Sequence, residues 1–352
     1  MRQNDKAISS YIKSNGILTI LTAITVISVI ASLCIGTYPL PFSKAFEIMM
    51  HFIWPWSSDY NTEWTAKEII IIELIRMPRV LLAVFVGVAL GISGTALQGM
   101  MRNPLVGPDL VGVASGAAFG GVLAVMMDMS SYTMVIMAFG GGMMGMVMTF
   151  ALASLSKSES NGMTLILSGI FVGAFLMACV GLGQFFANDG QLNEITFWLL
   201  GTLTRANEER VWTIAIPTLV GGSALMFIRW RLNILSLNDT DAMSLGINVR
   251  LIRWVIISIV AWIVASQVAV SGIVAWIGLV IPHFARMLVG PDHRSLLPAS
   301  ALLGALFVLA IDALTRTVIQ EEIPIGVLTT LIGTPIIILI FWKKQTKGWI
   351  SD

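Results

Sequence analysis

Charge-free apolar runs recur along this chain, each about as long as the ~20-residue helix that crosses a bilayer. They cover residues 17–35, 80–101, 110–127, 132–155, 163–187 and 211–228, followed by a run at 254–285 that is too long for one crossing. Ser271-Gly272 lies near the middle of that run and marks a turn, dividing it into 254–270 and 273–285. Residues 297–314, interrupted only by Asp312, and 325–342 complete ten predicted spans. The sequence is 56% hydrophobic and 12% charged over 352 residues, with a mean hydropathy of +0.85. No water-soluble fold of this size hides that much apolar surface. The expected fold class is an all-α integral membrane protein, read as one transmembrane domain over residues 1–352.

Lys and Arg placement sets the expected orientation. With ten spans both termini share a face, and that face carries 14 of the 21 Lys and Arg residues. The other 7 are Lys44, Lys67, Arg76, Arg79, Arg205, Arg210 and Arg316. Both termini are therefore expected in the cytoplasm. The run at 17–35 follows Arg2, Lys6 and Lys13 but is too long for a signal-peptide core and lacks an Ala-x-Ala cleavage pattern, so it is read as a retained helix. The overall balance of 21 Lys+Arg against 20 Asp+Glu gives no basic excess for nucleic acid. Cys34 and Cys179 both lie in apolar runs, too few for a zinc site, and no metal site or cofactor is expected in this chain.

Three segments lie between spans and are long enough to act. Residues 37–78 fall outside; they carry Trp54, Trp56 and Trp64 as membrane-interface anchors, and residues 66–76 read as an interfacial helix. Residues 188–210 are also outside, with the apolar stretch 195–203 expected to rest on the membrane surface. Residues 230–249 lie inside. Gly112, Gly116 and Gly120, and again Gly141 and Gly145, are spaced by four, which lets helix backbones approach closely in lipid. Leu105-Val-Gly-Pro-Asp109 recurs as Leu288-Val-Gly-Pro-Asp292, read as shared turn chemistry.

The spans hold almost no ionisable side chains: Asp312 near one end of the ninth and His283 near one end of the eighth. A proton relay normally needs intramembrane carboxylates. The chain also lacks a phosphate-binding loop, a His-Glu-x-x-His helix and a Gly-x-Ser-x-Gly elbow. A solute moved uphill would draw its energy from another polypeptide. Asp312 and Arg316, four apart, can pair on one helix face; His283 reads as a packed or capping residue. In the inside segment, Thr240 or Asp239 can cap a short helix that Gly246 ends. Its apolar Ala242, Met243 and Leu245 fit either an interfacial rest or a knob for a soluble partner, and residue physics leaves both open.

Set in this order, the residues resemble a known family. Arg76-Met-Pro-Arg79, Gly91-Ile-Ser-Gly94 through Gln98, Asn103-Pro-Leu105, and Pro108-Asp-Leu-Val-Gly112 with Ser115-Gly116-Ala117 are similar to the FecCD/BtuC-type permeases. So are Leu235–Gly246, Gly278-Leu-Val-Ile-Pro282-His283 through Arg286, Gly290-Pro-Asp-His-Arg294, Glu322-Ile-Pro324-Ile-Gly326 and Gly333-Thr-Pro335. These permeases are the membrane subunits of type II ABC importers for iron–siderophores, haem and cobalamin. The likeness runs in unbroken order over about residues 70–345.

The resemblance implies a BtuC-like subunit of ten helices that pairs with a second copy or close paralogue, in the cytoplasmic membrane of a prokaryote. Two ABC ATPase subunits, using ATP and Mg, would bind below, and an extracytoplasmic solute-binding protein would dock above. Arg76, Arg79 and Arg316 match arginines that meet carboxylates of the binding protein. The segment Asn238, Asp239, Thr240, Asp241, Ala242, Met243, Ser244, Leu245 and Gly246 matches the loop seated in the ATPase. Asn103, Leu105, Ser158 and Asn161 match positions near the cytoplasmic gate. An iron–siderophore is the first expected substrate; haem, cobalamin or an oxyanion such as molybdate remains open. An autonomous secondary transporter or channel is the alternative of a different class, and the lack of an intramembrane carboxylate relay argues against it.

Overall fold

The computed structural model describes residues 2–36, 38, 40–53, 64–155, 162–317 and 323–345. Every regular element among them is helical. In chain order these are α1 (Arg2–Cys34), α2 (Phe42–Ile53), α3 (Ala66–Ile70), α4 (Met77–Met101), α5 (Val113–Met126), α6 (Ser131–Ser154), α7 (Gly162–Phe186) and α8 (Asp189–Leu199). There follow α9 (Glu208–Phe227), α10 (Arg229–Leu235), α11 (Asp239–Ser244), α12 (Val249–Ser271), α13 (Ile277–Val289), α14 (His293–Thr317) and α15 (Ile325–Gln345). Among the described residues, seven helices are long and apolar enough to cross a membrane, and α5, α13 and the apolar part of α15 (Ile325–Leu339) are shorter; together they make the ten expected spans.

The short spans have a geometric explanation. At about 1.5 Å per residue, the 14 residues of α5 and the 13 of α13 fall short of a ~30 Å hydrocarbon core. Non-helical backbone supplies the remainder, protected because it is packed inside protein. A 3₁₀ turn at Pro108–Val111 leads into α5, and residues 272–276 lead into α13. The break before α13 falls where Ser271-Gly272 predicts it: α12 ends at Ser271 and Gly272 takes φ 70°. Trp276, at φ 71°, completes the break in a backbone region that bulky residues rarely occupy.

Elsewhere the helices overrun their charge-free cores. α12 begins at Val249 rather than 254, taking in Arg250 and Arg253, and α14 runs from His293 to Thr317 instead of 297–314. A charge-free run measures hydrocarbon thickness; the backbone stays helical beyond it. The helix expected at 66–76 is present but not separate. Thr65 and Glu68 form a capping box, and α3 continues through a π-helical turn, Ile71–Arg76, directly into α4. The segment after α1 contains a further helix, α2, which buries Ala45 and Ile48. In the 195–203 stretch, α8 buries Ile195 and Trp198 while Phe197 and Leu200 stay exposed, and the Trp198 ring fills the space left by the missing side chain of Gly121.

The hub is α4, with 20 of its 25 residues buried. It touches α14 along its length, and side chains at Gly87 or Gly304 would overlap the opposing backbone. The glycine spacing acts as predicted in the α5–α6 pair, where a methyl group at Gly116 would strike the Gly141 carbonyl and one at Gly145 the Gly112 carbonyl. The repeated Leu-Val-Gly-Pro-Asp letters, however, take two conformations. Gly107 is extended (φ −115°) ahead of the buried Pro108, whereas Gly290 is left-handed (φ 85°) and Asp292 caps α14 through the Arg294 amide.

Side-chain ties show which helix ends share a face. At the face where α4 begins, here the upper face, Arg210 of α9 donates to the Val270 carbonyl and to Ser131 of α6. Gln191 of α8 reaches Asp128 just beyond α5. At the lower face, where α4 ends, Ser295 of α14 meets Ser14 of α1, and Asn233 of α10 meets Asp292.

Candidate functional site

Two residue groups stand out, one at each end of α4. At the upper face, Arg79 Nε donates to Asp312 Oδ1 at 2.7 Å and its Nη2 to Thr315 at 3.3 Å. Arg316 Nη2 lies 2.9 Å from Asp312 Oδ2, so the four-residue pair read from sequence is present and shared with a second arginine. The side chains of Arg79, Arg316 and Asp312 are 10%, 7% and 1% exposed. The remaining donors of the cluster face the end of α1. Arg76, buried, donates to the Leu33 and Tyr38 carbonyls, and Arg316 donates to the Ser32 and Ile35 carbonyls and to the Ser32 hydroxyl.

These bonds explain charges that the positive-inside tendency does not. The last carbonyls of a helix lack intrahelical partners and carry the negative end of its dipole, and Arg76 and Arg316 satisfy them for α1. Arg210 does the same for the end of α12. The three arginines expected to meet a partner's carboxylates are thus turned inward, committed to Asp312 and to backbone oxygens. Sequence reading missed this because a carbonyl acceptor has no residue-type signature. Arg205, paired with Glu194 at 2.8 Å, is the exposed arginine of this face. A cavity of about 190 Å³ opens beside the cluster, lined by Arg79, Asp312, Trp198 and Arg205 among others.

At the lower face, α10 and α11 lie between the ends of α9 and α12. Asn238, rather than Thr240 or Asp239, holds the N-cap position of α11, with extended backbone. The helix ends as the glycine predicts. Gly246, at φ 79°, donates to the Met243 carbonyl and Ile247 donates to the Ala242 carbonyl, the paired bonds of a Schellman stop. Ala242 is fully buried against the bundle, while Met243 and Leu245 are 55% and 61% exposed. Asp239 is clamped: Arg253 Nη1 and Nη2 donate to it at 3.0 and 2.9 Å, and Arg102 Nη2 donates to it at 2.8 Å.

Arg102 is the left-handed C-cap of α4 and leads into Asn103-Pro-Leu105. Asn103 Oδ1 accepts the Leu105 amide at 2.9 Å, an Asx turn, and Leu105 is 46% exposed. A cavity of about 550 Å³ lies beside this turn, lined by Gln98, Arg102, Asn103, Asn233, Arg286 and His293 among others. The structure therefore brings Asn103 and Leu105 together with Asn238–Gly246. Ser158 and Asn161 lie outside the described residues. His283 is half-buried on α13, and no group of three His, Cys, Asp or Glu side chains is placed to hold a metal among the described residues.

The chain has clear relatives. Residues 24–343 match the model of the FecCD transport family. The molybdate import system permease protein MolB of Haemophilus influenzae is 38% identical over 331 residues, 93% of this chain and 96% of that one. A Helicobacter pylori protein named as an iron chelatin transport system permease is 37% identical over 81% of this chain and 86% of its own. Among solved structures, an inward-facing ABC transporter assigned to the metal-chelate type superposes with a TM-score of 0.83 at 36% identity, covering 94% of this chain and 99% of that one.

Proposed function

The chain belongs to the FecCD transport family, and on that premise we propose that it is the permease subunit of an ATP-driven importer, powered by separate ATPase subunits that grip α11 from the cytoplasm. The observation that carries this reading is α11 itself. It is a six-residue helix with a defined stop, fixed to the bundle by Ala242 and Asp239, that leaves Met243 and Leu245 exposed beyond the spans. Large exposed apolar side chains held on a rigid element suit a groove on a protein partner. Asp312 is bonded to two arginines, a fixed structural cluster and not the chain of carboxylates a proton relay uses, which speaks against an autonomous secondary transporter.

In this reading the lower face, to which the sequence assigns 14 of the 21 Lys and Arg residues, is cytoplasmic. A cysteine replacing Ala206 should react with an impermeant reagent outside intact cells and one replacing Leu237 should not; the opposite pattern would invert the topology. A solute-binding protein docks on the upper face, which Arg76, Arg79 and Arg316 shape through their internal bonds. The path runs between two permease subunits, and the Asn103–Leu105 turn lies at its cytoplasmic end.

For the substrate we propose an iron chelate, a siderophore complex first. The iron chelatin permease relative and the metal-chelate-type structure support it. Molybdate is the second reading, supported by the relative that matches over 93% of the chain. Uptake of radio-iron as a ferric siderophore, measured beside radiolabelled molybdate in cells with and without this chain, separates them. Loss of molybdate uptake alone on deletion would replace the first reading with the second.

A further inference from the structure

Arg102 stands where two parts of the lower face meet. Its guanidinium donates to the Leu237 carbonyl at 2.9 Å, to Asn238 Oδ1 at 3.4 Å and to Asp239 Oδ1 at 2.8 Å. All three acceptors belong to the start of α11 or the residues leading into it. Its backbone, in contrast, belongs to the gate turn. Arg102 is the C-cap of α4 at φ 53°, ψ 30°, and the next residue, Asn103, is pinned by its own amide to the Gln98 carbonyl at 3.2 Å and forms the Asx turn to Leu105. A non-glycine residue in the left-handed region persists where its surroundings hold it, and here three side-chain bonds to the α11 segment do so.

Asp239 completes the joint. Its carboxylate takes Arg253 of α12 through two parallel bonds, a geometry with strong directional preference, and Arg102 through a third. Arg253 therefore fixes α11 to the bundle, whereas Arg102 ties it to the end of α4. Among the described residues, the side-chain bonds between the start of α11 and the turn that carries Leu105 all run through the Arg102 guanidinium.

We propose that Arg102 is a positioning residue that transmits displacement of α11 to the Asn103–Leu105 turn, so that nucleotide binding by the ATPase resets the cytoplasmic end of the path. This rests on the reading of α11 as the ATPase grip. Without Arg102, α11 remains attached to α12 and still presents Met243 and Leu245, but its motion is no longer carried to the turn.

The test uses the permease purified with its ATPase, with Cys34→Ser, Cys179→Ser and Leu105→Cys, and measures the rate at which a charged maleimide modifies position 105 with and without ATP and vanadate. The expected result is a nucleotide-dependent rate in this parent and loss of that dependence in Arg102→Gln, with ATPase co-purification unchanged. Arg102→Lys should restore part of the dependence, since an ammonium keeps the Asp239 pair but not the fork of bonds. A full nucleotide response in Arg102→Gln overturns the proposal. So does loss of co-purification in that variant, which would make Arg102 part of the grip, and so does a parent with no response at position 105. Met243→Asp checks the underlying reading separately: if the ATPase still co-purifies with that variant, α11 is not the grip and the joint falls with it.

Discussion

Arg79 and Asp312 are bonded at 2.7 Å across 233 residues of sequence, joining the start of α4 to the end of α14 beneath the upper face. Arg316, one turn further along α14, shares the same carboxylate. A single buried anion thus holds two guanidinium groups, and the helices that carry them are packed backbone to backbone below.

Removing that anion should be costly. Asp312→Asn leaves two buried arginines without their shared charge, and breaking such a pair typically costs about 3–5 kcal/mol. The variant is expected to lose a large part of its thermal stability in detergent, read as a lowered unfolding midpoint. Arg205→Ala, which breaks an exposed pair worth only ~0–1 kcal/mol, should leave the midpoint almost unmoved. Equal midpoints for the two variants would mean that the cluster is not structural.

Arg76 offers a second test at the same face. Its bond to the Leu33 carbonyl caps α1 and its bond to the Tyr38 carbonyl holds the chain beyond it, so Arg76→Ala should loosen the last turn of that helix. Hydrogen exchange of the Val29–Cys34 amides should speed up, while the Val86–Leu90 amides in the middle of α4 stay protected. Unchanged exchange in the last turn of α1, together with slowed association of a binding protein, would instead support Arg76 as a docking charge.

Much of this architecture is legible in sequence, for identifiable reasons. Charge-free runs report hydrocarbon thickness, Ser271-Gly272 reports the break between α12 and α13, and the glycine spacing reports the close α5–α6 contact. Gly246 announces the end of α11, because a left-handed residue is needed there. Other features leave no such trace. α2 is short and only partly apolar. Burial of Trp198 depends on Gly121, far away in the chain. The inward arginines bond to carbonyls that any residue could supply, so only their misfit with the positive-inside pattern hints at a structural role. The repeated Leu-Val-Gly-Pro-Asp motif shows the opposite limit, since identical letters adopt different backbones when their neighbours differ.

At the lower face, Gly246→Val should distort the stop of α11. A β-branched residue resists the left-handed conformation by roughly 1–2 kcal/mol, and the Ile247 bond to Ala242 weakens with it. Membrane insertion should be normal, while ATPase association and transport fall together. A Gly246→Val variant that binds the ATPase and transports like the parent would show that the shape of this stop is not used.

The central claim is that transport through this chain is driven by a separate ATPase, and reconstitution tests it most directly. Liposomes containing the permease with its ATPase, supplied with a binding protein loaded with radio-iron siderophore, should accumulate label only when ATP reaches the ATPase. Liposomes containing the permease alone should accumulate none under an imposed proton or sodium gradient. Gradient-driven accumulation by the permease alone, unaffected by adding the ATPase and ATP, would contradict the account.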